Sequence, residues 1–333
     1  MARRFIKDIG PGERFESVTF LVASKDLRTT TQGSLYIHCV LADRTGRMTA
    51  RVWSASEAMY RAMTEGGFIN VKGRSENYKG ALQFIIEAIR PVDTDSIELG
   101  DFLPRTERDI DEMWSRTGAI LEEIKDPAVG ALIGEFLKDE VLIARFKVAP
   151  AAVSLHHAYI GGLLEHTLNV LELARLAIPR YPKVQMDLVV AGLFLHDLGK
   201  TAELSFDTSF RYTDQGQMLG HISICSQWID RMAERAAQTT GKPFPDRVKW
   251  ALQHIVISHH ARPEFGSPKV PATPEALAVH YLDNLDAKLN MSIAAIEADT
   301  DERDWTPFNR ALETKLFKRN PLAGETHVSE SVG

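Results

Sequence analysis

Six side chains, taken in chain order, could together do metal chemistry: His166, His196, Asp197, His221, His259 and Asp283. Imidazoles and carboxylates suit borderline and hard divalent ions such as Mn, Fe, Co and Mg. The His196-Asp197 pair closes the apolar run DLVVAGLFL at residues 187–195. A helix apolar on every face is a buried helix. A carboxylate at its end must be neutralised or coordinated, because an unpaired buried charge is costly. A metal cation meets that need. One carboxylate between two ions can bridge them, and Asp197 is the natural bridge. His166, His196, Asp197 and Asp283 are expected to hold one ion, and Asp197, His221 and His259 the other. Two neighbouring ions fix a nucleophilic water and offset charge on a phosphate.

Other residues stand near this set in sequence. His260 follows His259, and adjacent residues do not easily serve the same ion. It is kept as a substrate contact or an alternative ligand. Asp286 is expected to support rather than ligate, and His254 to be a packed helix residue. Lys200 lies about one helical turn past Asp197. It could reach a substrate phosphate and aid catalysis, or form a salt bridge to Asp197 or Glu203. His156 and His157, just before the Gly161-Gly162 turn, either bind substrate phosphate or make structural hydrogen bonds. Arg211 and Tyr212 are expected as substrate contacts on a loop.

Helices must position these groups. The spacing predicts a helix over 109–124, with Ile110, Met113, Trp114, Ile120, Leu121 and Ile124 on its apolar face. Pro127 can start a second helix running to about 146, and Gly161-Gly162 opens another to about 177. The fold class expected is a two-domain chain, all-β in front and all-α behind.

Residues 1–92 alternate like strands. Segments 17–22, 36–41, 47–53, 68–73 and 82–86 give five strands, with helix-like 56–63 between the third and fourth. This order resembles an OB-fold, a small Greek-key barrel. Period-2 alternation turns Met48, Ala50, Val52, Ile37, Cys39 and Leu41 inward. Tyr36, His38, Arg47, Thr49, Arg51 and Trp53 then face outward. That face mixes cations for phosphates with rings on which bases stack.

The charge balance divides the same way. Residues 1–92 hold 14 Lys+Arg against 9 Asp+Glu, a surplus of +5, and the rest holds 25 against 36, or −11. The asymmetry suggests a polyanion-binding module joined to a carboxylate-rich one. The acidic, turn-rich stretch 93–105 reads as a linker. Connecting helices at 106–150, a metal-binding unit at 151–320 and a polar tail at 321–333 follow. No run is long and apolar enough to span a bilayer, and the first residues lack the apolar stretch of a secretory signal. Cys39 and Cys225 lie far apart and fit buried free thiols in a reducing cytoplasm.

The ordered set H…HD…H…H…D resembles that of the HD-domain metal phosphohydrolases with two ions. The segments HHAYIGGLLEHTLNV (156–170), HDLGKTAELSFD (196–207) and YTDQGQMLGHI (212–222) go further. With the barrel in front, they resemble the YhaM-type 3′–5′ exoribonucleases over nearly the whole chain. That resemblance implies metal-dependent removal of nucleotides from the 3′ end of single-stranded RNA, and often single-stranded DNA, with manganese favoured. Homo-oligomerisation is compatible with the sequence. The alternative is an HD phosphohydrolase acting on a nucleotide or cyclic dinucleotide, with the barrel as an interaction module. The GYP signature of the cyclic-dinucleotide branch is absent, since Ser258-His259-His260 continues as Ala261-Arg262-Pro263. The third reading, a non-catalytic binder, is opposed by the intact ligand set.

Overall fold

A computed structural model describes residues 3–31, 33–78, 80–92, 97–153, 158–206, 210–299, 301 and 303–322. Five strands form a closed barrel: β1 (Arg14–Thr29), β2 (Leu35–Asp43), β3 (Gly46–Val52), β4 (Phe68–Tyr78) and β5 (Ala81–Val92), in the order β1-β2-β3-β5-β4. A short helix α1 (Glu57–Ala62) sits between β3 and β4. Within the barrel the β3–β5 pairing is parallel and the other four pairings are antiparallel. This is the OB-fold order that the sequence suggests, with longer strands.

β1 closes the barrel by serving two neighbours. Its first half pairs with β4 and its second half with β2, with register shifts between Phe15 and Val18 and between Val22 and Ser24. Such bulges bend a strand enough to turn a barrel corner. The barrel faces fall as expected. Ile37, Cys39, Leu41, Met48, Ala50 and Val52 are buried with Phe20, Val71 and Phe84. Both cysteines are free and buried. Burial pushes the Cys39 thiol up to about 12, and burial likewise raises that of Cys225.

Past the barrel the chain is helical: α2 (Ile110–Leu121), α3 (Pro127–Leu137), α4 (Glu140–Val148), α5 (Gly162–Ala177), α6 (Met186–Leu195), α7 (Lys200–Glu203), α8 (Asp214–Thr240), α9 (Asp246–Ser258) and α10 (Pro274–Glu297). The single helix expected from Pro127 to about 146 is two helices. Asp139 turns its carboxylate onto the Leu142 amide and starts α4 afresh, as N-capping residues do. Asp109 and Asp126 cap α2 and α3 in the same way. The all-round apolar helix α6 is fully covered from Val189 to Leu195.

The stretch expected as a linker is partly packed. Phe102, 1% exposed, and Leu103 cluster with Leu21, Ala42 and Phe68 of the barrel. Ile160 and Phe210 of the helical part lean on the same cluster. Phe102 meets Phe68 edge-on at 4.7 Å between ring centroids, with the Arg3 guanidinium 3.8 Å over its ring. Backbone bonds from Ile160 N–H to Pro104 O (2.7 Å) and from Thr106 N–H to Ile160 O (2.9 Å) fix its far end.

Two outcomes follow. Phe102→Ala should cost about 3–5 kcal/mol of stability, because an aromatic leaves a cavity at the junction; a urea melt measures it, and an unchanged midpoint would show the junction to be loose. Iodoacetamide at neutral pH should leave Cys39 and Cys225 unmodified in the native chain and label both in denaturant, as read by intact mass.

Candidate metal centre

Helix ends supply most of the site. α6 ends at Leu195, so His196 is its C-cap and Asp197 begins the turn to α7. α9 ends at Ser258, leaving His259 as its C-cap. In both places the ring folds back on the carbonyl three residues earlier. His196 Nδ1 lies 2.7 Å from Leu193 O and His259 Nδ1 2.8 Å from Val256 O. A carbonyl only accepts, so both Nδ1 atoms carry the proton and both Nε2 lone pairs point into the site.

His221 is aimed by a break. α8 departs from helical geometry at Gly220, with φ 70° and ψ 155°. Glu203 fills the break, with Oε1 accepting from the His221 backbone N–H (2.9 Å) and lying 3.0 Å from its Nδ1. Gly199 is required beside it, because a Cβ there would stand 2.2 Å from the His221 carbonyl oxygen. His166 comes from the first turns of α5, and Asp283 and Asp286 from α10. Asp286 Oδ2 takes His166 Nδ1 at 2.7 Å.

The six expected side chains converge. His166, His196 and Asp283 form one group of donor atoms, and Asp197, His221, His259 and His260 another, all atoms of each within 4.8 Å of one another. Asp197 lies between them. Its Oδ2 is 3.5 Å from His196 Nε2 and 4.0 Å from His166 Nε2, while its Oδ1 is 3.4 Å from His221 Nε2 and 3.7 Å from His259 Nε2. His166 Nε2 is also 3.3 Å from Asp283 Oδ1. His259 and His260 join the same group, against the expectation for neighbours. α9 has ended, and the loop beyond it holds the His260 ring, with Nδ1 2.6 Å from Phe265 O, so the two rings meet edge to face with centroids 4.1 Å apart.

The donor set fits a cation. Asp197 Oδ1, His221 Nε2 and His259 Nε2 are buried and have no hydrogen-bond partner. Three lone-pair atoms facing one another without a proton is what a cation would satisfy. Burial opposes charge on Asp197, but Lys200 and the histidines around it outweigh burial and hold its carboxyl well below the usual range. Burial alone would lower His166, yet Asp283 and Asp286 on its two nitrogens push it up to about 10. Burial also keeps His259 neutral, well below its ordinary value. Lys200 Nζ donates to Asp197 Oδ2 at 2.7 Å, one of the two salt bridges considered for it.

A cleft of about 270 Å3 opens onto the group, lined by Lys200, His260, Phe265, Asn284 and Lys288 among others. Arg211 and Tyr212 lie elsewhere, on a short strand β7 paired with β6 (Leu204–Ser205) rather than on a loop. Arg211 lines a separate cleft of about 860 Å3 between the barrel and the helical part, together with Arg44 and Arg47. On the barrel, Tyr36 and Trp53 stack at 5.3 Å, and the Arg51 guanidinium lies 5.6 Å from the Trp53 ring and 5.0 Å from that of Tyr78. His38 is part-buried on the same strand as Tyr36, with burial and then Arg28 and Arg51 lowering its pKa. His156 and His157 fall outside the described residues. His254 is partly buried in α9 and accepts from the Ala272 amide.

Sequence reasoning passed over Asn169 and Arg108 and weighed Glu203 only as an ion-pair partner of Lys200. Asn169 Nδ2 donates to Asp286 Oδ1 (3.1 Å), and Arg108 donates to Asn169 Oδ1 (2.8 Å). Asn169 stands three residues past His166, on the same face of α5, which was the available signal.

Comparison with known proteins agrees with this geometry. Residues 163–288 match the family model described as HD domain. The class is therefore an OB barrel joined to an HD-type metal-dependent phosphohydrolase. The 3′-5′ exoribonuclease YhaM of Halalkalibacterium halodurans is 32% identical over 316 residues, covering 93% of this chain and 96% of that protein. That of Bacillus subtilis is 33% identical over 298 residues, covering 89% and 92%. The chain belongs to the YhaM 3′–5′ exoribonuclease family. Among solved structures, a domain of replication protein A from Methanococcus maripaludis is similar at 16% identity and a TM-score of 0.24, covering 28% of this chain and 97% of that one.

The carboxylates behind the histidines generate a prediction. Glu203→Ala and Asp286→Ala should each weaken divalent-ion binding by roughly 10–100-fold, the usual effect of losing an outer partner of a ligating histidine. A Mn²⁺ titration followed by electron paramagnetic resonance reads this, and wild-type affinity in both variants would remove these carboxylates from the site.

Proposed function

We propose that this chain hydrolyses phosphodiester bonds from the 3′ end of single-stranded RNA, and accepts single-stranded DNA by the same route. The observation that carries the reading is Asp197, each of whose oxygens faces a different set of imidazoles. In this reading Asp197 would serve both of two divalent ions, with manganese favoured. His166, His196 and Asp283 would hold one, and His221 and His259, with His260 beside them, would hold the other. Two ions so held would supply the attacking water and offset charge gathering on the phosphate.

The chain's own residues do the rest. Lys200 keeps its proton against burial because of Asp197, and it lines the cleft. It stands beside the scissile phosphate and counters its charge. Residues 1–92 act as the strand-binding unit, 93–150 as the connection and 151–320 as the hydrolase. Tyr36, Trp53 and Tyr78 offer stacking surfaces, with His38 and Arg51 among them. Arg47 and Arg211, from different halves, line one cleft with Arg44, which suits the phosphates of a strand passing toward the site. The buried thiols suit a reducing cytoplasm.

The test is a gel assay on 5′-labelled single-stranded RNA with Mn²⁺, beside EDTA and Asp197→Ala. A ladder that shortens from the 3′ end, and vanishes in both controls, is the expected result. Turnover of mononucleotides or cyclic dinucleotides with RNA left intact would replace this reading with that of a small-molecule phosphohydrolase. Trp53→Ala should weaken strand binding by about 1–3 kcal/mol, the worth of one stacked base, with hydrolysis of very short oligonucleotides retained.

A further inference from the structure

Three side chains line the metal cleft without belonging to either group of donor atoms: Phe265, Asn284 and Lys288. Phe265 ends the turn Pro263–Phe265 beyond α9, and the other two stand on α10. The loop that carries Phe265 is anchored. Its carbonyl accepts from His260 Nδ1 at 2.6 Å, and the His260 backbone N–H donates to Ser267 Oγ at 3.0 Å. Ser267 is fully buried, and Arg262 O accepts from the amides of Phe265 and Ser267. The Phe265 ring is nevertheless 62% exposed. A large ring left in water on a backbone held in place offers a face for stacking.

The α10 wall is ordered too. At about 100° per residue, Asp283, Ala287, Met291, Asn284 and Lys288 follow one another in that order around about 140° of the helix, and all five line the cleft. The wall therefore runs from a candidate ligand, across an apolar strip, to an amide and an ammonium. Among the described residues neither Asn284 nor Lys288 has a side-chain hydrogen-bond or ion-pair partner. An amide side chain both donates and accepts, as a ribose 2′-hydroxyl does.

We propose that this part of the cleft is the subsite for the 3′-terminal ribonucleotide, with Phe265 stacking on its base, Asn284 hydrogen-bonding its 2′-hydroxyl and Lys288 meeting the next phosphate of the strand. The inference rests on the reading of the chain as a 3′ exonuclease, and it adds where RNA is told from DNA.

Size and chemistry both select this occupant. The cleft of about 270 Å3 is smaller than the roughly 300–1,000 Å3 of ordinary ligand pockets, so it takes one nucleotide rather than a length of strand. A phosphate at the donor atoms puts the ribose beside Asn284, the neighbour of Asp283 in the chain. Lys288 is five residues past Asp283, about 7.5 Å along the helix. It is exposed, and it meets a phosphate other than the one at the donor atoms. The barrel face cannot supply this discrimination. Rings stack on any base and cations pair with any phosphate, whereas the 2′-hydroxyl is what separates RNA from DNA.

The experiment follows release of the first nucleotide from 5′-labelled RNA in Mn²⁺, beside copies in which only the terminal or only the penultimate ribose is 2′-deoxy. With the wild-type chain the terminal deoxyribose should slow release roughly 3–10-fold, the worth of one hydrogen bond, and the penultimate one should not. Asn284→Ala should release the all-RNA terminus at that slower rate and be indifferent to the terminal deoxyribose. Phe265→Ala should raise KM at least about fivefold, the lower worth of one stacked base, and the rise should vanish on a strand whose terminal nucleotide is abasic. Lys288→Gln should flatten the salt dependence of strand binding, measured without divalent ion, by about 0.7 in the slope of log K against log salt. A wild type indifferent to the terminal 2′-hydroxyl, or an Asn284→Ala chain that keeps the wild-type ratio, overturns the inference and leaves the exonuclease reading standing. RNA left undegraded by the wild type overturns both. The wild-type comparison uses altered substrates alone, so it decides the matter even where a variant fails to fold.

Discussion

The buried charge of Asp197 is the constraint on which the rest of the structure depends. The residue is 3% exposed. Leaving such a carboxylate without a partner costs about 3–5 kcal/mol. Lys200 offsets part of this from one side, at Oδ2. The other oxygen faces His221 and His259, whose Nε2 atoms have no proton to give it. Each unsatisfied buried polar atom costs about 1–3 kcal/mol. Among the described residues six buried side-chain nitrogen and oxygen atoms have no hydrogen-bond partner, and three of them are these. Such a concentration in one place is a cost that a cation held there would relieve.

What makes the lone pairs converge is a device used twice. α6 and α9 both end one residue before a histidine, and both leave carbonyls without an intrahelical donor. His196 and His259 satisfy one such carbonyl each with Nδ1–H. The same bond caps the helix, fixes the tautomer and points Nε2 inward. His221 and His166 reach the same end with carboxylates, Glu203 and Asp286. At His196 and His259 helix termination and side-chain orientation are therefore one event.

That explains how much of the site was legible in the sequence. Ligand types, their order and the all-apolar run at 187–195 are local features, and they identified His166, His196, Asp197, His221, His259 and Asp283 as one set. The barrel was legible too, because period-2 alternation in β2 and β3 fixes which side chains face the core. What escaped was set by contacts between distant residues. The loop carbonyl of Phe265 that holds His260 beside His259, and the break at Gly220 that lets Glu203 grip His221, have no pattern in a linear reading. Arg211 looked like a loop residue because a two-residue strand pair gives no periodicity. The split at residues 138–139 was missed because Asp139 as a cap competes with an otherwise continuous helical pattern.

The acidic balance of the helical half also acquires a physical account. Asp109, Asp126 and Asp139 cap helices, and Asp187 holds the amides of Lys125 and Asp126 at the start of α6. Asp197, Glu203, Asp283 and Asp286 stand in or behind the candidate metal centre. These carboxylates are engaged by backbone amides or by imidazoles and lysine, so the −11 of this half is not simply an open negative field. The connector then sets where a strand could enter. Thr106 donates to Glu165, and Arg108, Asn169 and Asp286 form a hydrogen-bonded chain ending at His166. Four residues earlier, Phe102 is packed on the barrel. The junction and the ligand shell are thus successive layers of one packed segment. A substrate held on the barrel face would meet the metal centre at a distance fixed by that packing rather than by a flexible tether.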